Sequence, residues 1–139
     1  MLDLPFNHTV SIVIITVIIS LIAFSNPNVM NRLIFWPPAM QKGQYDRFIT
    51  HGFIHADGTH LLFNMITLFF FGSVIESFYR QYFYELGFVL FYLGGLIVAI
   101  IPSYLKHKND HRWASLGASG AVSAVLFAYI LFEPWKLIF

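Results

Sequence analysis

Residues 86–105 read LGFVLFYLGGLIVAIIPSYL, an uninterrupted run without a charged side chain. A helix needs roughly 20 mainly apolar residues to cross the hydrocarbon core of a bilayer. The run shows no period-two alternation, so it is a helix and not a strand of a membrane barrel, the only other architecture that pairs every backbone polar group in lipid. Outward from it lie three more uncharged stretches, 4–31, 58–75 and 113–132. Four transmembrane helices is therefore the simplest count, over about 8–24, 59–78, 86–105 and 115–132. The 139 residues are read as one membrane domain.

Composition agrees. Hydrophobic residues make up 58% of the chain and charged residues only 11%, against roughly a quarter charged in soluble domains. Eight Lys and Arg against seven Asp and Glu leave a net charge of +1. Such a balance suits no polyanionic partner, so nucleic-acid binding has no basis. The absence of cysteine removes disulfides, thiolate metal sites and a cysteine nucleophile. The first apolar segment is preceded by Asp3 and by no Lys or Arg, which fits an uncleaved helix better than a secretory signal.

The first connection, about 25–58, is long for a loop within a compact unit. It carries Phe35, Trp36, Tyr45, Phe48 and Phe53 beside Pro37-Pro38, mixed with Arg32, Lys42, Asp46 and Arg47, and reads as an interfacial, partly immersed element. Gly87, Gly94 and Gly95 of the third segment are small residues that let helices approach closely. His107 and His111 flank charges in a polar loop and read as solvated.

Two sites carry polar groups at membrane depth, where such groups are expensive and lean towards function. In Gly117-Ala118-Ser119-Gly120 a serine stands where an apolar helix begins, beside backbone N–H groups that have no intrahelical partner. Flanking glycines let a substrate carbonyl approach, and the helix dipole favours negative charge there. A serine nucleophile also needs a base and donors for the oxyanion. His60 and Asn64, spaced i, i+4, share one helix face and can both donate hydrogen bonds. As oxyanion donors each is worth roughly 3–4 kcal/mol; as interhelical bonds they would contribute about 1 kcal/mol. A metal site from His51, His55 and His60 lacks a well-placed fourth ligand.

His51-x3-His55-x4-His60-x3-Asn64, then Glu76, then Gly117-Ala118-Ser119-Gly120 two helices later, together resemble the rhomboid intramembrane serine proteases. The likeness extends across nearly the whole chain. It implies a bundle with six core helices, of a bacterial inner or plasma membrane, cleaving transmembrane or juxtamembrane segments of membrane proteins without metal or cofactor. Ser119 matches the family's nucleophile, and His60, Asn64 and the Ser119 N–H its oxyanion donors. His51 and His55 match positions that line a polar pocket beneath the active-site opening. Glu76 matches a carboxylate that bonds a neighbouring segment. Arg47 alone is retained from a Trp-Arg pair of the first loop, Asp46 standing for the Trp.

The same resemblance places the catalytic base on a histidine two segments beyond the serine. Glu133-Pro134-Trp135-Lys136 reads as the exit of the fourth segment and Leu137-Ile138-Phe139 as the start of a fifth, so the domain reads as incomplete at its C-terminus and inactive in this form. An aromatic that stacks on that histidine is replaced by Ser123. The alternative is a proteolytically inactive relative that binds transmembrane segments. Orientation divides the two kinds of argument. Arg32, Lys42, Arg47, Lys106, Lys108 and Arg112 flank one side against Arg80 and Lys136 on the other, which puts the Ser119 side in the cytoplasm; the resemblance implies the opposite, and a reporter fused after Lys42 separates the two.

Overall fold

The first spanning helix turns its few polar side chains inward. In the computed structural model, which describes residues 7–136, α1 (His8–Ser25) buries Thr9, Ile12, Thr16, Ser20 and Ala23 along one face. Ile14, Ile15, Ile18, Leu21 and Ile22 point outwards. That arrangement suits lipid, where aliphatic side chains gain nothing by leaving the tails and small or hydroxylated residues pack the helix contacts. Asn7 starts the helix by accepting from the Val10 N–H.

After α1 the chain folds into a set of short helices where a loop is expected: α2 (Pro27–Leu33), α3 (Pro37–Gln41), α4 (Arg47–Thr50) and a 3₁₀ turn at His51–Phe53. Proline begins α2 and α3, where its missing N–H costs nothing. Phe35 holds this assembly to the rest. Fully buried, it packs edge-on against Phe48, His51, Tyr104 and Trp113, and its backbone exchanges two hydrogen bonds with Ser115.

α5 (Gly58–Thr67), a π-helical turn (Leu68–Gly72) and α6 (Ser73–Tyr82) make the second span. Thr67 and Ser73 donate their hydroxyls to the carbonyls of Phe63 and Phe69 on either side of the wide turn, which keeps backbone groups paired where the ladder is disturbed. α7 (Gly87–His107) is the third span and α8 (Ser119–Phe132) a shorter apolar helix. The chain is thus an all-α, multi-pass membrane bundle. Three helices have the length to cross. α8, with 14 residues, is only about 21 Å long, against about 31 Å for α7. It begins at Ser119 and not near Ser115, because Ser115 is engaged with Phe35 in an extended bridge.

α7 and α8 meet through small residues. A Cβ on Gly95 would touch Ala121, and one on Gly120 would collide with the Ala99 methyl. Gly87 likewise brings α7 close to α6 at Tyr79, whereas Gly94 faces open space. The core between the helices is Leu61, Met65, Leu68, Phe88, Tyr92, Leu96, Val122 and Val125. The expected fifth segment from Leu137 lies outside the described residues.

At the end of the bundle away from Ser119, the Glu76 carboxylate receives the N–H groups of His8 and Thr9, the Thr9 hydroxyl and Arg80 at 2.7–3.2 Å. A carboxylate at a helix N-terminus meets both unpaired donors and the favourable end of the dipole. Glu76→Ala strands those donors in a buried place, and we expect a loss of about 3 kcal/mol in denaturant unfolding; an unchanged midpoint would show that α1 is not held there.

Candidate active site

Gly117 sets the approach to α8. Its φ of +110° is a conformation that side-chain-bearing residues rarely adopt, and a Cβ there would lie 2.9 Å from Cε1 of His60. Glycine is thus required twice, by backbone and by space. The His60 imidazole covers the turn that leads into Ser119. Asp57 caps α5 by accepting from the His60 N–H, which fixes the residue one turn into the helix.

The turn is anchored from below by the loop at 51–55. The Gly117 N–H donates to the His51 carbonyl at 2.8 Å, and the Ala118 N–H to Nε2 of His55 at 3.3 Å. With Nε2 accepting, Nδ1 of His55 carries the proton and donates to Ser20 Oγ at 3.1 Å, whose hydroxyl passes on to the Phe53 carbonyl. The next N–H groups, of Ser119, Gly120 and Ala121, have no partner among the described residues; the ladder starts with Val122 donating to Ala118. Ser119 itself is exposed. An open hydroxyl therefore stands at the positive end of α8 beside unpaired donors.

Asn64 is buried one turn further along α5, and its amide donates to the His60 carbonyl at 2.9 Å. His51 lines a cavity of about 180 Å³ together with Ser103, Ser115, Gly117, Ser119 and Gly120. Both of its ring nitrogens lack a hydrogen-bond partner. Burial pushes its pKa down, and the nearby Leu96 and Phe48 carbonyls, too poorly placed to bond the ring, oppose this in part. His55 does not line that cavity, contrary to expectation: it is wholly buried, edge-on to His60 at 5.1 Å. Burial, and then the like charge of His60, lower its pKa to about 4 against the pull of Asp57.

The structure thus gathers Ser119, Gly117, Gly120, His60, Asn64, His51 and His55 at one end of the bundle. Glu76 stands at the other end. Arg47 lies within the loop assembly, where it donates to the Asn31 and Ile34 carbonyls at 2.8 and 2.7 Å. Asp46 pairs with Arg32 instead. His107 is not free in solvent but half-buried, stacked on Trp113 at 4.5 Å. Sequence reasoning passed over Ser20, Ser103 and Ser115. The signal for Ser20 was there, since Thr9, Thr16 and Ser20 form a polar stripe at helical spacing. Among the described residues, no three His, Asp or Glu side chains converge as metal ligands.

Comparison with known proteins gives one consistent picture. The rhomboid domain family matches residues 42–138. RHOMBOID-like protein 12, mitochondrial, of Arabidopsis thaliana is 29% identical over 127 residues, 80% of this chain and 36% of that protein. The putative rhomboid protease YdcA of Bacillus subtilis is 33% identical over 88 residues, 63% of this chain and 41% of that one. Rhomboid protease GlpG of an Enterobacter species is 30% identical over 126 residues, 88% of this chain and 41% of its own length. The chain spans 36–41% of these relatives.

A buried neutral His55 makes stability depend on pH. Its folded pKa lies below the unfolded value of about 6.5, so the unfolded state binds more protons between the two, and stability falls as pH drops from about 6.5 towards 4. We expect a loss of roughly 3 kcal/mol over that window, read from unfolding midpoints at each pH, and a shallower slope in His55→Gln. Parallel slopes in the two proteins would remove His55 as the titrating group.

Proposed function

Because the chain belongs to the rhomboid family, whose relatives here include two named as proteases, we propose that it is the Ser119-bearing part of an intramembrane serine endopeptidase. Its substrates are transmembrane or juxtamembrane segments of other membrane proteins. The observation that carries this reading is the exposed Ser119 hydroxyl at the N-terminus of α8, beside unpaired N–H groups and a turn covered by His60.

In the proposed reaction Ser119 Oγ attacks the scissile carbonyl, and its proton passes to a base. The carbonyl oxygen becomes an oxyanion, held by the Ser119 N–H with His60 and Asn64 as side-chain donors. Donors fixed before the reaction need no reorganisation as charge develops, which is why each counts for more here than in water. Collapse of the tetrahedral species breaks the C–N bond, releases the amine fragment and leaves an acyl group on Ser119. Water then hydrolyses that ester. The cavity lined by His51, Ser103, Ser115 and Ser119 is polar room for such a water next to the reacting bond, with the unpartnered His51 nitrogens in its wall.

We assign no histidine of this chain as the base. His55 is committed to Ser20 and Ala118, and His60 to the oxyanion. His8, His107 and His111 sit on other elements, and His51 belongs to the loop at 51–55, in the wall of the cavity that Ser119 shares. Without its base a serine site loses most of its rate. The second reading is a family member that binds transmembrane segments without cutting them. The family's membranes include a mitochondrial one among the named relatives; we assign this chain to a bacterial inner or plasma membrane, and fractionation of the source cell tests it.

The deciding experiment is cleavage of a panel of single-pass membrane proteins by the protein expressed from its full reading frame. We expect Ser119→Ala to abolish cleavage, and His60→Ala or Asn64→Ala to lower turnover by roughly 10²-fold each. Cleavage that survives Ser119→Ala would end the nucleophile assignment. Tight binding of the same segments with no cleavage by the wild type would favour the second reading.

A further inference from the structure

A second cavity, of about 360 Å³, lies apart from Ser119 and is lined by Asn31, Ile34, Trp36, Arg47 and Ala114. Its volume falls in the roughly 300–1,000 Å³ range of small-molecule sites. One charged group faces it. Arg47 is only 5% exposed, its Nε donating to Gln44 Oε1 and its Nη1 to the carbonyls of Asn31 and Ile34. Its Nη2 makes no hydrogen bond among the described residues, and Arg47 takes part in no ion pair there. The neighbouring carboxylate, Asp46, is bound to Arg32 at 2.8 Å. Two guanidiniums thus share one carboxylate, which bonds Arg32 and acts on Arg47 only through space, so the group keeps a net positive charge. Neutral carbonyls offset part of that cost, but a buried cation is satisfied by an anion.

The level in the membrane says which anion. Asn31, Ile34, Trp36 and Arg47 belong to the segment between the end of α1 and the start of α5, and Ala114 to the segment between α7 and α8. Both connect helix ends on one side of the bundle, and Trp and Arg are enriched where the ends of spanning helices meet lipid phosphates. Apart from Arg47 and Asn31 the lining is aliphatic or aromatic, which suits the glycerol and first methylenes of a lipid better than a hydrated free ion.

We propose that this cavity binds the phosphate of a phospholipid headgroup, with Arg47 Nη2 donating to a phosphate oxygen and Ile34 and Trp36 packing on the glycerol. A phosphate with net negative charge restores local neutrality, so phosphatidylglycerol is favoured over phosphatidylcholine. The site ties the loop assembly that carries Phe35 and His51 to the lipid surface. It is independent of any bond cleavage at Ser119.

The test is native mass spectrometry of the protein titrated with dihexanoyl phosphatidylglycerol, dihexanoyl phosphatidylcholine, dihexanoylglycerol and inorganic phosphate. We expect one phosphatidylglycerol to be retained most strongly, phosphatidylcholine more weakly and dihexanoylglycerol not at all. Arg47→Gln should weaken retention at least tenfold. Because Arg47 also holds carbonyls and its variant can fail to fold, Ala114→Phe, which fills the cavity and leaves the guanidinium alone, should weaken it equally with an unchanged circular-dichroism melt. Retention unaffected by Ala114→Phe overturns the proposal. So does equal retention of dihexanoylglycerol, or displacement of the lipid by equimolar inorganic phosphate, which would make this a free-phosphate site.

Discussion

The imidazole of His55 connects three parts of the molecule that are far apart in sequence. Its Nε2 receives the Ala118 N–H, its Nδ1 donates to Ser20 of α1, and Ser20 in turn bonds the Phe53 carbonyl. Together with the Gly117 N–H on the His51 carbonyl, this uses the two backbone donors just before α8 and leaves those of Ser119, Gly120 and Ala121 open. An irregular turn at membrane depth survives only where protein supplies its partners. His55 and His51 supply them, so the place where α8 begins, and with it the position of Ser119, is set by the loop at 51–55.

The openness of Ser119 then follows from where α8 begins. α8 starts late because Ser115 is bridged to Phe35, and Phe35 is clamped by four aromatic rings including His51. The small-residue contact of Gly95 and Ala99 with Gly120 and Ala121 draws α7 and α8 together and leaves the hydroxyl at the rim of a cavity instead of inside a packed seam. The loop assembly is thus part of the site's foundation, since Arg47 and Thr50 stitch it by donating to carbonyls of residues 31, 33 and 34.

The helical class, three long apolar helices and the motif were legible because they rest on run length, charge gaps and fixed spacings; the fourth expected span is the 14-residue α8. The start of α8 was not: Ser115 and Leu116 are as apolar in context as the helix after them, and only the pairing with Phe35 holds them extended. Short helices in 25–58 escaped notice because helices of four to seven residues show too little periodicity to read. Gly94 and Gly95 look alike in sequence, yet only Gly95 meets α8, since adjacent positions point about 100° apart on a helix. Asp46 and Arg47 are neighbours in sequence, yet each side chain serves a different partner. His51 and His55 shared one expected role and divide it, one lining the cavity and the other bracing the turn.

Catalysis at this end of the bundle requires Ser119 to be a hydroxyl made reactive by its place at the open end of α8. The most direct test is labelling of membranes that hold the protein from its full reading frame with a fluorophosphonate, followed by peptide mass spectrometry. A reactive Ser119 predicts one adduct, on the peptide containing that residue, lost in Ser119→Ala and weakened in His60→Ala. No adduct in the wild type, or one that persists in Ser119→Ala, would contradict it.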